Sequence, residues 1–255
     1  MKITACIITL NEERDLPRCL TSIAPLVDEI LIVDSGSTDA TADIAQNYRA
    51  RFLRQEWLGY VGQKNFALDL ATHPWVLSID ADEEISPELA DSISSLKSSP
   101  AVDLPDSPDG YEFSRVVFYL NRWIRHGDWY PDRLVRLFRR NKVRFSGGHV
   151  HERLEISGST LLLPGDLRHF TYDSAADRAE RCAKYAALWA QSAHEQGKHA
   201  NFLSAPIHAA ARLAKGFLLK RGFLDGAVGW DIAMGNAREV WLKYHLLRQL
   251  QSRLQ

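Results

Sequence analysis

A cluster of carboxylates follows a short apolar run in the first third of the chain. Residues 75–79 read Trp-Val-Leu-Ser-Ile, and residues 80–84 read Asp-Ala-Asp-Glu-Glu. Four carboxylates at the end of a buried strand repel one another, and burying them is costly unless a cation offsets their charge. Oxygen ligands favour Mg²⁺ or Mn²⁺, and such an ion usually completes its shell with water and substrate phosphates. The cluster therefore predicts metal-assisted chemistry on a nucleotide diphosphate.

Two further polar segments lie where predicted strands or loops end. Residues 34–39 read Asp-Ser-Gly-Ser-Thr-Asp, in which small residues let the backbone approach a ligand and Asp34 can accept from a ribose or a base. Residues 59–65 form a glycine-flanked loop that enters a helix, where Lys64 can neutralise a phosphate. Taken singly, the first segment is more typical of a plain strand-to-helix turn, and the second is weak evidence because a solvated helix start has the same pattern.

The elements that must position these residues alternate over the first hundred positions. Strands are predicted at 3–9, 29–33, 51–54 and 75–79, and helices at 11–23, from 39, at 62–70 and from 87. Asn11 is the expected cap of the first helix, and Ser86 that of the fourth. Such alternation predicts a parallel sheet covered on both faces, with ligands beyond the carboxyl ends of its strands. Asn11, Asp34 and Asp80 all stand at such ends.

The rest of the chain has a different pattern. A loop rich in proline and aspartate over 98–110 precedes shorter, irregular strand signals up to 163, and the pattern is helical from Ser174 onward. We expect one domain over 1–172, with halves at 1–97 and 110–172, and a helical region over 173–255. Glu83 and Glu84 are expected to serve the start of the fourth helix or the second half of the domain.

Composition excludes several classes of protein. The 255 residues are 45% hydrophobic and 25% charged, which describes a folded protein with a substantial core. Three cysteines without paired spacing indicate a reducing compartment and no disulfide framework. The first residues are not a signal peptide, and no uncharged stretch is long enough to span a membrane. A net charge of −1 argues against nucleic-acid binding.

Four segments become strong evidence of a resemblance when they occur together. They are Ile-Thr-Leu-Asn-Glu-Glu (8–13), Ile-Val-Asp-Ser-Gly-Ser-Thr-Asp (32–39), Gly-Gln-Lys-Asn-Phe-Ala (62–67) and Ser-Ile-Asp-Ala-Asp-Glu (78–83). In this order and spacing the chain resembles the family 2 glycosyltransferases over roughly residues 1–170. Segments 129–140, 147–152 and 222–226 are similar to the branch that contains lipopolysaccharide core β-glucosyltransferases. The resemblance implies an α/β GT-A fold, with a Rossmann-like nucleotide-binding half and a mixed sheet, followed by the C-terminal helical region.

The resemblance also implies roles for individual positions. The residues expected to line the nucleotide-sugar pocket are Leu10, Asn11, Glu12, Asp34, Lys64, Asn65, Asp80, Ala81 and Asp82. Asp80 and Asp82, with Asp82 the more direct ligand, are expected to bind Mg²⁺ or Mn²⁺. His169 is the candidate that completes the metal shell, although a histidine after a strand is more often structural. Ser35 stands where many members have a second acid that helps to read the base, which leaves the choice of uridine open.

An inverting transfer needs a carboxylate that takes the proton of the acceptor hydroxyl, while the metal stabilises the departing diphosphate. Glu152 matches the family's position for this base, and Asp132 is the alternative. Glu152 has a rival interpretation as an ion-pair partner of Arg153 or Arg133. His149 and His151 form a His-x-His pair, which alone is weak support for a metal site.

The acceptor side is predicted to be basic and aromatic. Residues 121–153 hold nine Lys/Arg against three Asp/Glu, and tryptophan and tyrosine residues lie among them. Arginines pair with phosphate or carboxylate and aromatic rings stack on sugars, so this segment favours an anionic, sugar-bearing acceptor over a merely solvated face. The expected acceptor-binding residues are Trp129, Tyr130, Asp132, Arg133 and Arg136.

We therefore expect a cytoplasmic enzyme that moves a hexose, with glucose from UDP-glucose as the first candidate, onto a lipopolysaccharide core acceptor. The alternatives are another glycolipid, a capsule precursor or a protein as acceptor, and a nucleotide-sugar-binding scaffold without turnover. Residues 205–255 mix aromatic and basic side chains. They fit either contact with the cytoplasmic face of the inner membrane or packing against protein.

Overall fold

The structure is a computed structural model that describes residues 1–104, 106–147, 152–172 and 174–252, without the side chains of Asp103 and Glu152. The chain divides into two compact units, Met1–Arg115 with Asp132–His169, and Val116–Pro131 with Phe170–Gln255. The second unit thus takes in residues 116–131, which the sequence assigned to the domain over 1–172. The functional division of the chain at 172 stays a prediction.

The strands and helices alternate through the first hundred residues, as predicted. The strands are β1 (Ile3–Thr9), β2 (Glu29–Asp34), β3 (Arg51–Arg54), β4 (Trp75–Ser78), β5 (Glu83–Ile85), β6 (Gly110–Tyr119), β7 (Arg122–Ile124), β8 (Asp132–Arg139), β9 (Val143–Gly147), β10 (Glu152–Ile156) and β11 (Thr160–His169). The helices of the first unit are α1 (Leu16–Ile23), α2 (Thr41–Asn47), α3 (Gly59–Leu70) and α4 (Pro87–Ser98).

The main sheet has the order β3-β2-β1-β4-β8-β6-β11-β5, and β9 pairs with β10 in a separate ribbon. The pairs β1–β2, β2–β3 and β1–β4 are parallel, whereas β4–β8, β6–β8 and β5–β11 are antiparallel. Strands β1, β2 and β4 are almost wholly buried runs because helices cover both faces of a parallel sheet. The sheet is therefore mixed, and its parallel half aligns the carboxyl ends of the strands that precede the polar segments.

The start of α1 differs from the prediction. The helix begins at Leu16 rather than after Asn11, because Asn11 takes a left-handed backbone conformation with φ of 57°. Asparagine tolerates this conformation better than most residues. The backbone N–H of Asn11 donates to the Ser37 hydroxyl at 2.8 Å, and its side-chain oxygen accepts from the Thr38 N–H at 2.9 Å. The segment after β1 is thus a loop held to the loop after β2.

The cap predicted for α4 is confirmed. The Ser86 hydroxyl accepts from the backbone N–H of Leu89 at 3.2 Å and from that of Asp166 at 3.1 Å. One buried oxygen therefore caps the helix and fixes β11 beside it.

The second unit is mostly helical, as predicted from Ser174 onward. It contains α5 (Ala175–Glu195), α6 (Ser204–Leu213) and α7 (Gly226–Ser252), with a π-helical turn at Ala214–Leu219 and a 3₁₀ turn at Gly222–Asp225. Ser174 caps α5 by accepting from the Asp177 N–H at 3.1 Å. Among the helices of the described ranges, none is long and apolar enough to cross a membrane.

A buried arginine organises this second unit. The Arg178 guanidinium donates to the Asp231 carboxylate at 3.1 Å and to the side-chain oxygen of Asn236 at 3.0 Å. It also lies over the rings of Tyr119 and Trp129, 5.4 and 4.9 Å from their centroids. These contacts join α5 and α7 to the end of β6.

Candidate active site

The turn after β2 is organised by a fully buried carboxylate. Asp34 accepts hydrogen bonds from the Thr9 hydroxyl at 2.9 Å, from the backbone N–H groups of Gly36 and Ser37 at 2.9 and 2.8 Å, and from the Ser37 hydroxyl. These donors satisfy the buried charge. Asp34 therefore shapes the loop beside Asn11, and its contact with a nucleoside stays a prediction.

Asp80 lies between two cations. Lys64 projects from α3 and places its Nζ 3.0 Å from Asp80 Oδ1, and Arg136 on β8 places its Nη2 2.8 Å from Asp80 Oδ2. Burial opposes ionisation of Asp80, but Arg136 and Lys64 outweigh it and hold the pKa of this carboxyl well below its ordinary value. Asp80 is therefore a carboxylate at any neutral pH, and its charge is already offset by the protein.

The two glutamates that follow lie in strand β5, so the expectation that they serve the start of α4 was wrong, whereas their arginine partners do come from the predicted second half of the domain. Alternation along the strand buries Glu83 completely and turns Glu84 to the other face, where Arg168 pairs with it at 3.0 Å. Glu83 accepts from Arg136 at 2.6 Å and lies 3.6 Å from Arg115. Its second oxygen accepts from the backbone N–H of Asp80 at 3.0 Å. Arginine pairing thus explains why carboxylates are tolerated here.

Asp82 is paired with a histidine from the far end of the first unit. Strand β11 runs antiparallel to β5, which brings His169 beside Glu83 in register and places His169 Nε2 3.1 Å from Asp82 Oδ2. Burial opposes ionisation of Asp82, but the hydrogen bond and charge of His169 lower the pKa of its carboxyl. The two side chains that the resemblance assigns to the metal shell therefore lie side by side, and their binding of a metal stays a prediction.

The pair fits a divalent cation held by two protein ligands. Neighbouring ligands of an octahedral ion at roughly 2.1 Å stand about 3 Å apart, which matches the separation of the two side chains. In the described part of the chain, no three His, Cys, Asp or Glu side chains are assembled as a metal-binding group. Remaining ligands would come from water and the donor diphosphate. The expected coordination by Asp80 stays a prediction, since both of its oxygens pair with cations.

The other residues predicted to bind the sugar donor differ in their surroundings. Glu12 lies near this site: burial and then the charge of Asp82 raise the pKa of its carboxyl to about 7. Leu10 is exposed and Ala81 is buried. The Asn65 amide bonds the backbone of Phe145, donating to its C=O at 2.9 Å and accepting from its N–H at 3.0 Å. Asn65 thus ties α3 to β9.

The predicted acceptor residues are divided between the units. Asp132 accepts from Arg115 at 2.6 Å, Arg136 is buried against Asp80, and Arg133 is exposed, all in the first unit. Trp129 and Tyr130 belong to the second unit, where Trp129 stacks on Tyr172 with ring centroids 5.5 Å apart. The backbone of Glu152 opens β10, opposite Gly147 on β9, and its side chain lies outside the described residues. His149 and His151 lie outside them as well.

Sequence reasoning missed Arg115 as a member of this site. It is on β6 between Glu83 and Asp132, and it joins the two carboxylates. The available signal was an arginine among the mostly apolar residues of β6, because a charge in a largely buried strand needs a partner.

Comparison with known proteins identifies the family. The family model described as "Glycosyl transferase family 2" matches residues 4–151, more than half of the chain. The chain belongs to glycosyl transferase family 2. It is therefore an enzyme of the expected class, and its mixed sheet with the helical C-terminal region is the predicted GT-A architecture.

Relatives of this glycosyltransferase match nearly its whole length. The lipopolysaccharide core biosynthesis glycosyltransferase LpsC of Rhizobium meliloti (strain 1021) is 30% identical over 96% of this chain and 94% of its own. An uncharacterised glycosyltransferase of Rickettsia typhi is 29% identical over 98% of this chain and 87% of its own. The crystal structure of S. aureus TarS 1-349 in complex with UDP-GlcNAc is similar at 17% identity, over 99% of this chain and 92% of that one, with a TM-score of 0.47.

Proposed function

We propose that this family 2 glycosyltransferase moves a hexose, with inversion, from a UDP-sugar such as UDP-glucose to a lipopolysaccharide core acceptor. The observation that carries the proposal is the Asp82–His169 pair beside ion-paired Asp80 at the end of the parallel strands. The acceptor class is supported by the similarity to LpsC, whose name assigns it to lipopolysaccharide core biosynthesis.

In this proposal Asp82 and His169 hold Mg²⁺ or Mn²⁺, which when bound stabilises the charge that develops on the departing diphosphate. Leu10, Asn11 and the Asp34 turn line the uridine pocket. The ion pair between Lys64 and Asp80 holds charged groups in place at the diphosphate end of this pocket before the donor binds.

The proton of the attacking hydroxyl is taken by a carboxylate on the opposite side of the sugar from the diphosphate. Glu152 is the proposed base because it matches the position of this acid in the family. Asp132 is the alternative, but proton transfer to its Oδ2 competes with the hydrogen bonds that it accepts from Arg115 Nε and Nη2 at 3.0 and 2.6 Å.

The test is UDP release from a panel of UDP-hexoses, with lipopolysaccharide acceptors truncated at successive core sugars and with Mn²⁺ or EDTA. Glu152→Gln should lower transfer roughly 10²–10⁴-fold and leave UDP-glucose binding intact, whereas Glu155→Gln on the same strand serves as the matched control. Transfer that survives in Glu152→Gln but is lost in Asp132→Asn would reassign the base. Activity unchanged in EDTA or in Asp82→Asn would refute the metal role, and wild-type binding without turnover would favour the scaffold alternative.

Localisation at the cytoplasmic face of the inner membrane is part of the same proposal. Residues 215–224 expose Leu218 (60%), Leu219 (79%) and Leu224 (53%) beside Lys220 and Arg221. Apolar side chains flanked by cations favour anionic lipid surfaces. Flotation with anionic vesicles should recover the wild type at low salt and lose Leu219→Asp. Absence of wild-type binding there, with a dimer in light scattering, would favour a protein partner instead.

A further inference from the structure

A basic cavity of about 570 Å³ lies in the first unit beside Asp80. Four arginines line it, namely Arg115, Arg133, Arg136 and Arg153, and Phe145 adds an apolar wall. Its volume is that of a site for one or two sugar rings. Because it includes Asp80, the cavity adjoins the proposed donor site.

Two of these arginines are neutralised by the protein. Arg136 pairs with Asp80 at 2.8 Å and with Glu83 at 2.6 Å. Arg115 pairs with Asp132 at 2.6 Å and lies 3.6 Å from Glu83. Since both are held by carboxylates, they contribute little net charge to the cavity.

Arg133 and Arg153 are different. Within residues 1–104, 106–147, 152–172 and 174–252, neither of them has an ion pair or a side-chain hydrogen bond, and both are exposed. Among the described side chains, those that line the cavity or form ion pairs with its lining residues are the cations Lys64, Arg115, Arg133, Arg136 and Arg153 and the carboxylates Asp80, Glu83 and Asp132. Five against three leaves an excess of two positive charges, which is the charge of these two arginines.

We propose that the cavity binds an anionic group carried by the acceptor, a phosphate ester or a carboxylate on an acceptor sugar, through Arg133 and Arg153. This proposal rests on the proposed glycosyl transfer. A guanidinium matches phosphate or carboxylate oxygens in bidentate geometry. The cavity also includes Asp80, so an anionic group bound there lies beside the proposed donor site. The donor diphosphate would have its own partner in the cation that Asp82 and His169 are proposed to hold.

The experiment measures equilibrium binding by calorimetry, so that it does not depend on turnover. The probes are deacylated lipopolysaccharide core oligosaccharide, the same oligosaccharide after its phosphates are removed, and UDP-glucose with Mn²⁺. The double variant Arg133→Gln/Arg153→Gln is compared with Arg144→Gln, an exposed arginine on β9 that pairs with Asp69 and does not line the cavity.

We expect the double variant to bind the phosphorylated oligosaccharide at least roughly tenfold more weakly than the wild type, and Arg144→Gln to match the wild type. If phosphate is the group recognised, its removal weakens wild-type binding as much as the double substitution does. If the double substitution weakens oligosaccharide binding and removal of the phosphates does not, a carboxylate is the group recognised. Unchanged oligosaccharide binding in the double variant overturns the proposal. Selective loss of UDP-glucose binding overturns it too, by assigning the cavity to the donor. Failure of wild-type turnover with intact oligosaccharide binding would instead refute the proposed function alone.

Discussion

Replacement of Glu83 by glutamine should destabilise the protein far more than the same change at its neighbour Glu84. Glu83 is fully buried and accepts a 2.6 Å hydrogen bond from Arg136, whose Nε already lacks a partner among the described residues. The substitution would leave a buried guanidinium short of one counter-charge, and breaking a buried ion pair costs about 3–5 kcal/mol. In a chain of this size the loss lowers Tm by roughly 6–20 °C.

Glu84 provides the matched control because it pairs with Arg168 at 3.0 Å in a partly exposed position. Such pairs contribute at most about 1 kcal/mol. Urea unfolding monitored by circular dichroism, with equal m-values for the variants, gives the difference directly. If Glu83→Gln and Glu84→Gln unfold at the same urea concentration, the buried arginine does not depend on Glu83, and the explanation for the tolerated carboxylates fails.

Two further predictions concern stability. The pKa of Glu12 is raised to about 7, so the folded state holds this proton more tightly than the unfolded chain does. The stability this carboxyl contributes is complete below its unfolded pKa of about 4.3 and is lost as pH rises through the folded value. Between about pH 5 and pH 8 the unfolding free energy of Glu12→Gln should therefore fall less than that of the wild type. Equal pH profiles for the two proteins would contradict this. Ser86→Ala removes two buried hydrogen bonds, to Leu89 and Asp166, and should cost about 1–3 kcal/mol in urea unfolding, against no change for exposed Ser98→Ala.

Local patterns predicted much of the fold. The β-branched run at 3–9, the short strand at 51–54 and the Ser86 cap all fell where expected, because each depends on neighbouring residues. The position of Asp80 and Asp82 after a buried strand was also visible, since a change from apolar to acidic residues marks a strand end.

Long-range pairing could not be predicted in the same way. Strand β5 reads Glu-Glu-Ile, which has no strand signal, and it exists because β11 pairs with it and arginines offset its charge. The left-handed Asn11 follows from bonds to residues 26 and 27 positions away, so a local cap seemed the simpler interpretation. Arg136, one of the two partners of Asp80, lies 56 residues downstream, and His169, the partner of Asp82, lies 87 residues downstream, on strands whose register the sequence did not show.

The structure changes the reason for expecting a metal at this site. The sequence suggested that four crowded carboxylates require an added cation. In the folded chain lysine and arginine side chains neutralise Asp80, Glu83 and Glu84, so charge balance alone does not call for one. Asp82 differs because its carboxylate lies beside a histidine, a group that ligates metals when neutral. The case for a metal therefore rests on the Asp82–His169 pair, and loss of metal binding should follow Asp82 more closely than Asp80.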